Sequence, residues 1–182
     1  MLEQALVAHG SPTLARLKAG SLFAAPCPCA ALTDELRRVN GVLRPRGLRL
    51  IVLRREPRRT LLYLYREQAL AELLSHADAQ ALLSPCGYDA FSVPDALNTL
   101  RRRLNESPCF PHEIGVFLGY PLADVIGFIQ RGGRDCLCSG CWKAYANERE
   151  AMRTFARLNK CRTIYARLFS EGYSLARLTV RT

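Results

Sequence analysis

The chain has 182 residues, 49% hydrophobic and 23% charged, with 12 Gly and 10 Pro; this is enough apolar material for a buried core, and it excludes a disordered, fibrous or low-complexity chain. Its 26 Lys+Arg against 16 Asp+Glu leave a formal net charge of +10, which makes polyanions candidate partners and says nothing about fold. Residues 1–10 lack the basic and apolar regions of a signal peptide. The longest weakly charged apolar stretch, 114–129, contains Asp124 and Pro121, short of the ~20 predominantly apolar residues of a membrane span. The expectation is a soluble, cytoplasmic protein without a membrane partner.

In chain order, Ser11-Pro12 reads as a helix start, Ser as N-cap and Pro in the first turn, and predicts a short helix through Lys18. Pro26-Cys27-Pro28-Cys29 predicts a loop. Thr33 caps a second helix to about Leu43, with Leu36, Val39 and Leu43 on one face, and Pro45 and Gly47 end it. Residues 48–53 and 60–65 are β-rich runs around a polar segment containing Pro57, a hairpin with a basic tip. Helices are predicted at 66–75, 78–83, 94–105, 111–118 and 121–130, with Gly132-Gly133 stopping the last. Residues 142–145 predict a short strand. Asn147 with Glu150 resembles a capping box opening the longest helix, 148–170. Its apolar seam runs through Ala151, Phe155, Leu158, Cys161, Tyr165 and Leu168; Gly172 ends it, and 178–180 predicts a last strand. The fold class expected is α+β, a single mostly helical domain over 1–182 around a small antiparallel sheet.

The most specific chemical signal is Cys136-Leu137-Cys138-Ser139-Gly140-Cys141. Three thiols in six residues, with a Gly that permits a tight turn, suit tetrahedral zinc or iron, an Fe–S cluster included. Cys161, on the inward seam of the long helix, is the leading fourth ligand; His112 and His9 are alternatives. Cys161 reads equally as a small buried hydrophobe, and the three clustered thiols as inert. Cys138-x-x-Cys141 also has the form of a redox dithiol, with Lys143 placed to favour the Cys141 thiolate.

His112 and Glu113, expected in the first turn of a helix, form a second constellation. The positive end of the dipole stabilises the Glu anion and disfavours the His cation, and a neutral His is a base or metal ligand. The candidate catalytic set is therefore His112, Glu113, Lys143 and Cys141. The plainer reading is that Glu113 complements the dipole while His112 bonds a backbone group. His9 with Ser11, Thr13 and Lys18 is either a polar arm over a site or an ordinary capped helix with a surface His. Residues 112–130 have the outline of a helix-turn-helix, with Gly115, Val125 and Phe128 near its small and core positions. Its second helix carries Leu122, Ala123, Asp124, Ile126 and Gly127 where base-reading side chains belong. Arg101, Arg102 and Arg103 read as a solvated helix face, or as phosphate ligands.

Four strings together resemble the domain-of-unknown-function family 3793: His9-x-Ser-Pro-Thr-Leu-Ala with Lys18, Phe110-Pro-His-Glu-Ile-Gly-x-Phe-Leu-Gly-Tyr-Pro121, Cys138-x-x-Cys-Trp-Lys-x-Tyr145, and Gly172-x-Ser-x-x-Arg-Leu-Thr-Val180. The resemblance implies no activity. It implies a context of iron or redox metabolism, with a flavodoxin-like partner, and marks His9, Lys18, Tyr120, Trp142 and Tyr145 as cofactor-binding candidates beside Cys136, Cys138, Cys141 and Cys161 as metal candidates. This chain departs from the family in having Gly10 where Cys is common and Arg16 where Gly is common, which weakens the N-terminal arm as a metal donor. Three readings stand: a metal-binding or thiol-redox protein, enzyme or accessory factor; a nucleic-acid-binding regulator using 112–130; and a structural or partner-binding module with inert cysteines.

Overall fold

The computed structural model describes residues 2–26, 29–107 and 109–181. Of these, 59% are helical and 15% lie in strands, an α+β fold. The elements are α1 (Leu2–Leu14), β1 (Gly20–Pro26), α2 (Cys29–Leu43), β2 (Leu48–Arg55), β3 (Arg59–Arg66), α3 (Glu67–Ser75), α4 (Ala77–Leu83), α5 (Val93–Glu106), α6 (Ile114–Phe117), α7 (Leu122–Arg131), β4 (Cys138–Ser139), β5 (Lys143–Ala144), α8 (Glu148–Ser170) and α9 (Leu175–Leu178). They fall into two compact units, Met1–Ala69 with Lys160–Thr182, and Leu70–Asn159.

The first unit is built on an antiparallel sheet of order β1-β3-β2. Leu62 and Leu64 of β3 join Leu48 and Leu50 of β2, Leu6 and Leu14 of α1, and Val39 and Leu43 of α2 in one buried cluster. Each such leucine contributes roughly 1.5–3 kcal/mol by leaving water. Residues of the other parity in β3, Tyr63 and Tyr65, stack with centroids 5.2 Å apart. Both parities of β3 are buried, which is why the strand reads as a continuous apolar run rather than an alternation. The predicted hairpin forms, with a bulge between Val52 and Arg54 and Glu56 paired to Arg54 and Arg59 at its tip. On β2, the Asn40 side chain accepts from Leu50 N at 2.9 Å and donates to Leu50 O at 2.8 Å.

Three expectations are corrected here. Ser11-Pro12 does not open a helix, because α1 begins at Leu2 and carries Pro12 inside its last turn. Burial of Leu2, Leu6 and Val7 drives the earlier start, and a proline so near the end forfeits a single helical bond, to Ala8 O. Ser11 Oγ is buried without a hydrogen-bond partner among the described residues. Thr33 is likewise internal to α2, which starts at Cys29; Cys27 and Pro28 lie outside the described residues. Finally, the strand predicted at 178–180 does not form: the short helix α9 ends at Leu178, and Thr179 Oγ1 closes it by donating to Leu175 O at 2.7 Å.

Both departures from the family strings lie in or just past the last turns of α1. Arg16 has φ 64°, a left-handed conformation that costs an L-residue roughly 1–2 kcal/mol and costs Gly nothing. A Cβ on Gly10 would fall 2.8 Å from Leu64 Cδ2 and 3.4 Å from Leu6 Cδ1, so a Cys there would be a core side chain. Below this turn Arg66, 1% exposed, donates to the carbonyls of Thr13, Leu14 and Val180 at 2.7–2.8 Å. Burial, then the nearby Arg16, pushes its pKa down.

In the second unit, Ser92 caps α5 by accepting from Asp95 N, and Ala96, Leu97, Leu100 and Leu104 form its buried stripe. The helix expected over 111–118 is only the four residues of α6, all buried. Gly119, at φ 68°, turns the chain into α7, which ends on left-handed Gly132. The capping reading of α8 holds: Asn147 Oδ1 accepts from Glu150 N at 3.1 Å, and its amide donates to Glu150 Oε2.

Candidate functional site

The thiol-rich segment folds as a small hairpin in which Cys138 pairs with Ala144 and Ser139 with Lys143. Gly140 N donates to Trp142 O at 3.0 Å across the turn. Only glycine fits there, because a Cβ would lie 2.3 Å from the Phe155 ring. Trp142 therefore rests edge-on against Phe155, with centroids 4.6 Å apart, and stacks on Tyr120 at 5.0 Å with 30° between the planes. Tyr120 Oη donates to Cys141 O at 3.1 Å.

Asp124 of α7, 4% exposed, ties the hairpin to the helix. Its Oδ2 accepts from Trp142 Nε1 at 2.7 Å, and its Oδ1 from Tyr145 N at 2.7 Å and Ala146 N at 3.0 Å. A Cβ on Gly127 would lie 2.6 Å from Tyr145 Cβ, and one on Gly115 would lie 2.7 Å from Val125 Cγ2. The close approach of α6, α7 and the hairpin thus depends on glycines at these two positions.

Between these elements lies a cavity of ≈ 410 Å³, within the size range of small-molecule sites. Tyr120, Trp142, Phe128, His112 and Phe110 supply aromatic wall, Ile114 and Val125 aliphatic wall, and Ser139 and Lys143 polar groups. His112 meets Phe128 edge-to-face at 4.9 Å. Lys143 Nζ donates to Gly133 O at 2.6 Å.

Of the predicted site residues, His112, Lys143, Tyr120 and Trp142 therefore line one cavity. Glu113 does not line it. The carboxylate is 3% exposed and accepts from Arg103 Nε and, at 3.4 Å, from Tyr88 Oη. The Arg103 guanidinium is pushed up by this hydrogen bond, and the Tyr88 phenol is pushed up by burial and then by the Glu113 charge. Tyr145 is buried beneath the Arg131 guanidinium, 5.4 Å from its ring centroid.

Cys136, Cys138 and Cys141 are half-buried, and the last two pack against Ala144, Ala151 and Phe155. Burial, then the charges of Glu148, Cys136 and Asp124, pushes the Cys138 thiol up, away from the thiolate that metal binding or redox attack requires. Lys143, expected to favour a thiolate, lines the cavity and directs one of its three donors to Gly133 O. Cys161 lies in the first unit, buried, with burial pushing its thiol up. His9 and Lys18 are also in the first unit, His9 exposed and stacked on Phe23 at 5.8 Å. Among the described residues no group of three or more His, Cys, Asp or Glu could hold a metal ion.

Asp124 is the residue that sequence reasoning missed. It read as a charge interrupting an apolar stretch and as a residue of the second helix of the helix-turn-helix outline, unsuited to reading bases. The available signal was an acid in the first turn of a helix opened by Pro121, in a chain whose single tryptophan needs an acceptor if buried. As for the helix-turn-helix outline, α6 is four buried residues and α7 exposes Ala123, Ile129, Gln130 and Arg131. Among the described residues no helix is long and apolar enough to cross a membrane.

Comparison with curated proteins and with solved structures found no match. The family described as Protein of unknown function (DUF3793) matches residues 6–179. With nearly the whole chain so covered, the protein belongs to that family.

Proposed function

We propose that the second unit is a receptor for a small, largely unsaturated organic molecule, held in the cavity between Tyr120, Trp142 and Phe128. The observation that carries this reading is the cavity itself: ≈ 410 Å³, walled by five ring side chains and held open by a fully engaged buried carboxylate. Aromatic walls with a few polar groups are the usual composition of a ligand site. Binding is favoured over a reaction because Glu113 is committed to Arg103 and does not line the cavity, and because burial pushes the Cys138 thiol up.

Trp142, the single tryptophan, is a built-in reporter. Fragment-sized arenes titrated into the protein should quench its fluorescence saturably. Phe128→Ala should weaken that binding by about tenfold, the ~1.4 kcal/mol of one lost aromatic contact. If no arene gives a saturable change, the reading is wrong.

A second reading, zinc, iron or dithiol chemistry at Cys136, Cys138 and Cys141, would require these thiols to regroup, since they form no ready metal group among the described residues; what favours it is that all three sit on one short hairpin and its approach, with Cys136 close enough to influence Cys138. About one equivalent of metal in anaerobically purified protein, lost when Cys138 and Cys141 are both replaced by Ser, would carry it. Metal-free protein in which that double variant keeps the wild-type melting curve would remove it.

A further inference from the structure

We infer that the ligand is an arene bearing a negative charge, its ring against Tyr120 and Trp142 and its charge at Lys143; this rests on the cavity reading above. The walls select the ring. Tyr120 and Trp142 stack on each other, 30° from parallel with centroids 5.0 Å apart, so a ligand ring meets the outward side of this pair, where offset or edge-on ring contact adds to simple burial. The volume accommodates a single fused-ring fragment rather than a polymer.

The polar groups select the charge. Both oxygens of Asp124 are taken by three N–H donors, from Trp142, Tyr145 and Ala146, so this carboxylate orients the indole. Gly140 N is taken by Trp142 O. Ser139 and His112 also line the cavity and can hydrogen-bond any polar ligand; the group that favours an anion is Lys143, an exposed ammonium on the lining. One of its three donors goes to Gly133 O, which fixes the head and leaves two for a ligand. Among the described residues no carboxylate pairs with it. A cationic ligand would meet like charge there, and a neutral one would gain at most a hydrogen bond weaker than the one an anion accepts. The +10 chain also raises the local concentration of small anions.

Three probes sharing one ring test this: 2-naphthoate, 2-naphthylmethanol and 2-naphthylmethylammonium. Each is titrated into the full-length ¹⁵N-labelled chain while the single indole N–H cross-peak of Trp142 is followed. Naphthoate should bind about tenfold tighter than the alcohol, the size expected of a charge-assisted hydrogen bond at a partly exposed site, and the ammonium weaker than both. Lys143→Met should bring naphthoate down to the affinity of the alcohol, and Lys143→Arg should restore the preference; an unmoved indole cross-peak in the free variants verifies that the site is intact. An alcohol that binds as tightly as naphthoate, or a preference that survives Lys143→Met, would overturn the anionic class while leaving the cavity reading standing. A cross-peak that moves with none of the three probes would overturn both.

Discussion

Arg66→Met will destabilise the protein by about 3–4 kcal/mol, read as a drop in the urea midpoint. The guanidinium is 1% exposed and its bonds go to three backbone carbonyls, Thr13 O, Leu14 O and Val180 O, with no carboxylate paired to it among the described residues. Replacing both members of a buried ion pair by apolar groups is often harmless. Here the partners are main chain and stay behind. Val180 O, on a residue 45% exposed, loses the donor that joins the C-terminal segment to the end of α1 and turns to water, so the cost lies mainly in the lost charge-assisted bonds, each about 1.5–3 kcal/mol. Thr13 O and Leu14 O still accept from Arg16 N and Val180 N, and relief from burying a cation offsets part of the loss, so the net is less than three full bonds. Against a total of about 5–15 kcal/mol for a typical domain, this is a large fraction. Arg66→Lys should recover only part of it, because a point-like ammonium cannot span three carbonyls as the planar fork does. A methionine variant that loses less than about 1 kcal/mol would mean that the guanidinium does not clasp these segments.

The second large effect is expected at Asp124. Asp124→Ala strands three donors at once: the Trp142 indole N–H and the amides of Tyr145 and Ala146. The Tyr145 amide is buried, so the cost should reach about 3 kcal/mol. Asp124→Asn keeps an oxygen for the two amides but brings an N–H₂ toward the indole donor, so a smaller loss of about 1–2 kcal/mol is expected. Stability alone would not separate a site effect from a packing effect. The discriminating measurement is the indole N–H proton resonance, which should move upfield in both variants as the charge-assisted bond is lost, together with weaker binding of arene probes. An alanine variant with wild-type stability and an unmoved indole resonance would show that Trp142 is held by its ring contacts alone.

Much of the fold was legible because its signals are local. Asn147 and Glu150 are three residues apart, Gly132 and Gly172 follow periodic helices, and residues 48–65 carry the β-branched and aromatic runs of a hairpin. The misreadings occurred where a distant contact outweighed a local preference. Ser11-Pro12 has the chemistry of a helix start, yet burial of Leu2 and Leu6 against the sheet extends α1 past it. Strand β1, Gly-Ser-Leu-Phe-Ala-Ala-Pro, has little β propensity and exists because β3 offers it a full ladder, Gly20 to Pro26 against Tyr65 to Arg59. The candidate site was half legible. His112, Tyr120, Trp142 and Lys143 came from strings that proved adjacent in space, while Cys161, His9 and Lys18 belong to the other unit. Glu113 read as a catalytic anion beside His112, and only the approach of Arg103, ten residues earlier in the chain, makes it an ion pair. Asp124 reveals its role only once Trp142 and Tyr145, far along the chain, are seen to donate to it.

The side chain of Asn40 has a consequence for association. A border strand normally presents alternating donors and acceptors that a foreign segment can zip onto, the route to fibrils and to exchanged dimers. Midway along β2 that row is already occupied, because the amide of Asn40 mimics a neighbouring peptide and takes both main-chain groups of Leu50. An incoming chain would have to break two bonds and displace a residue anchored on a packed helix before gaining any of its own, so growth of the sheet from that side is blocked at its centre.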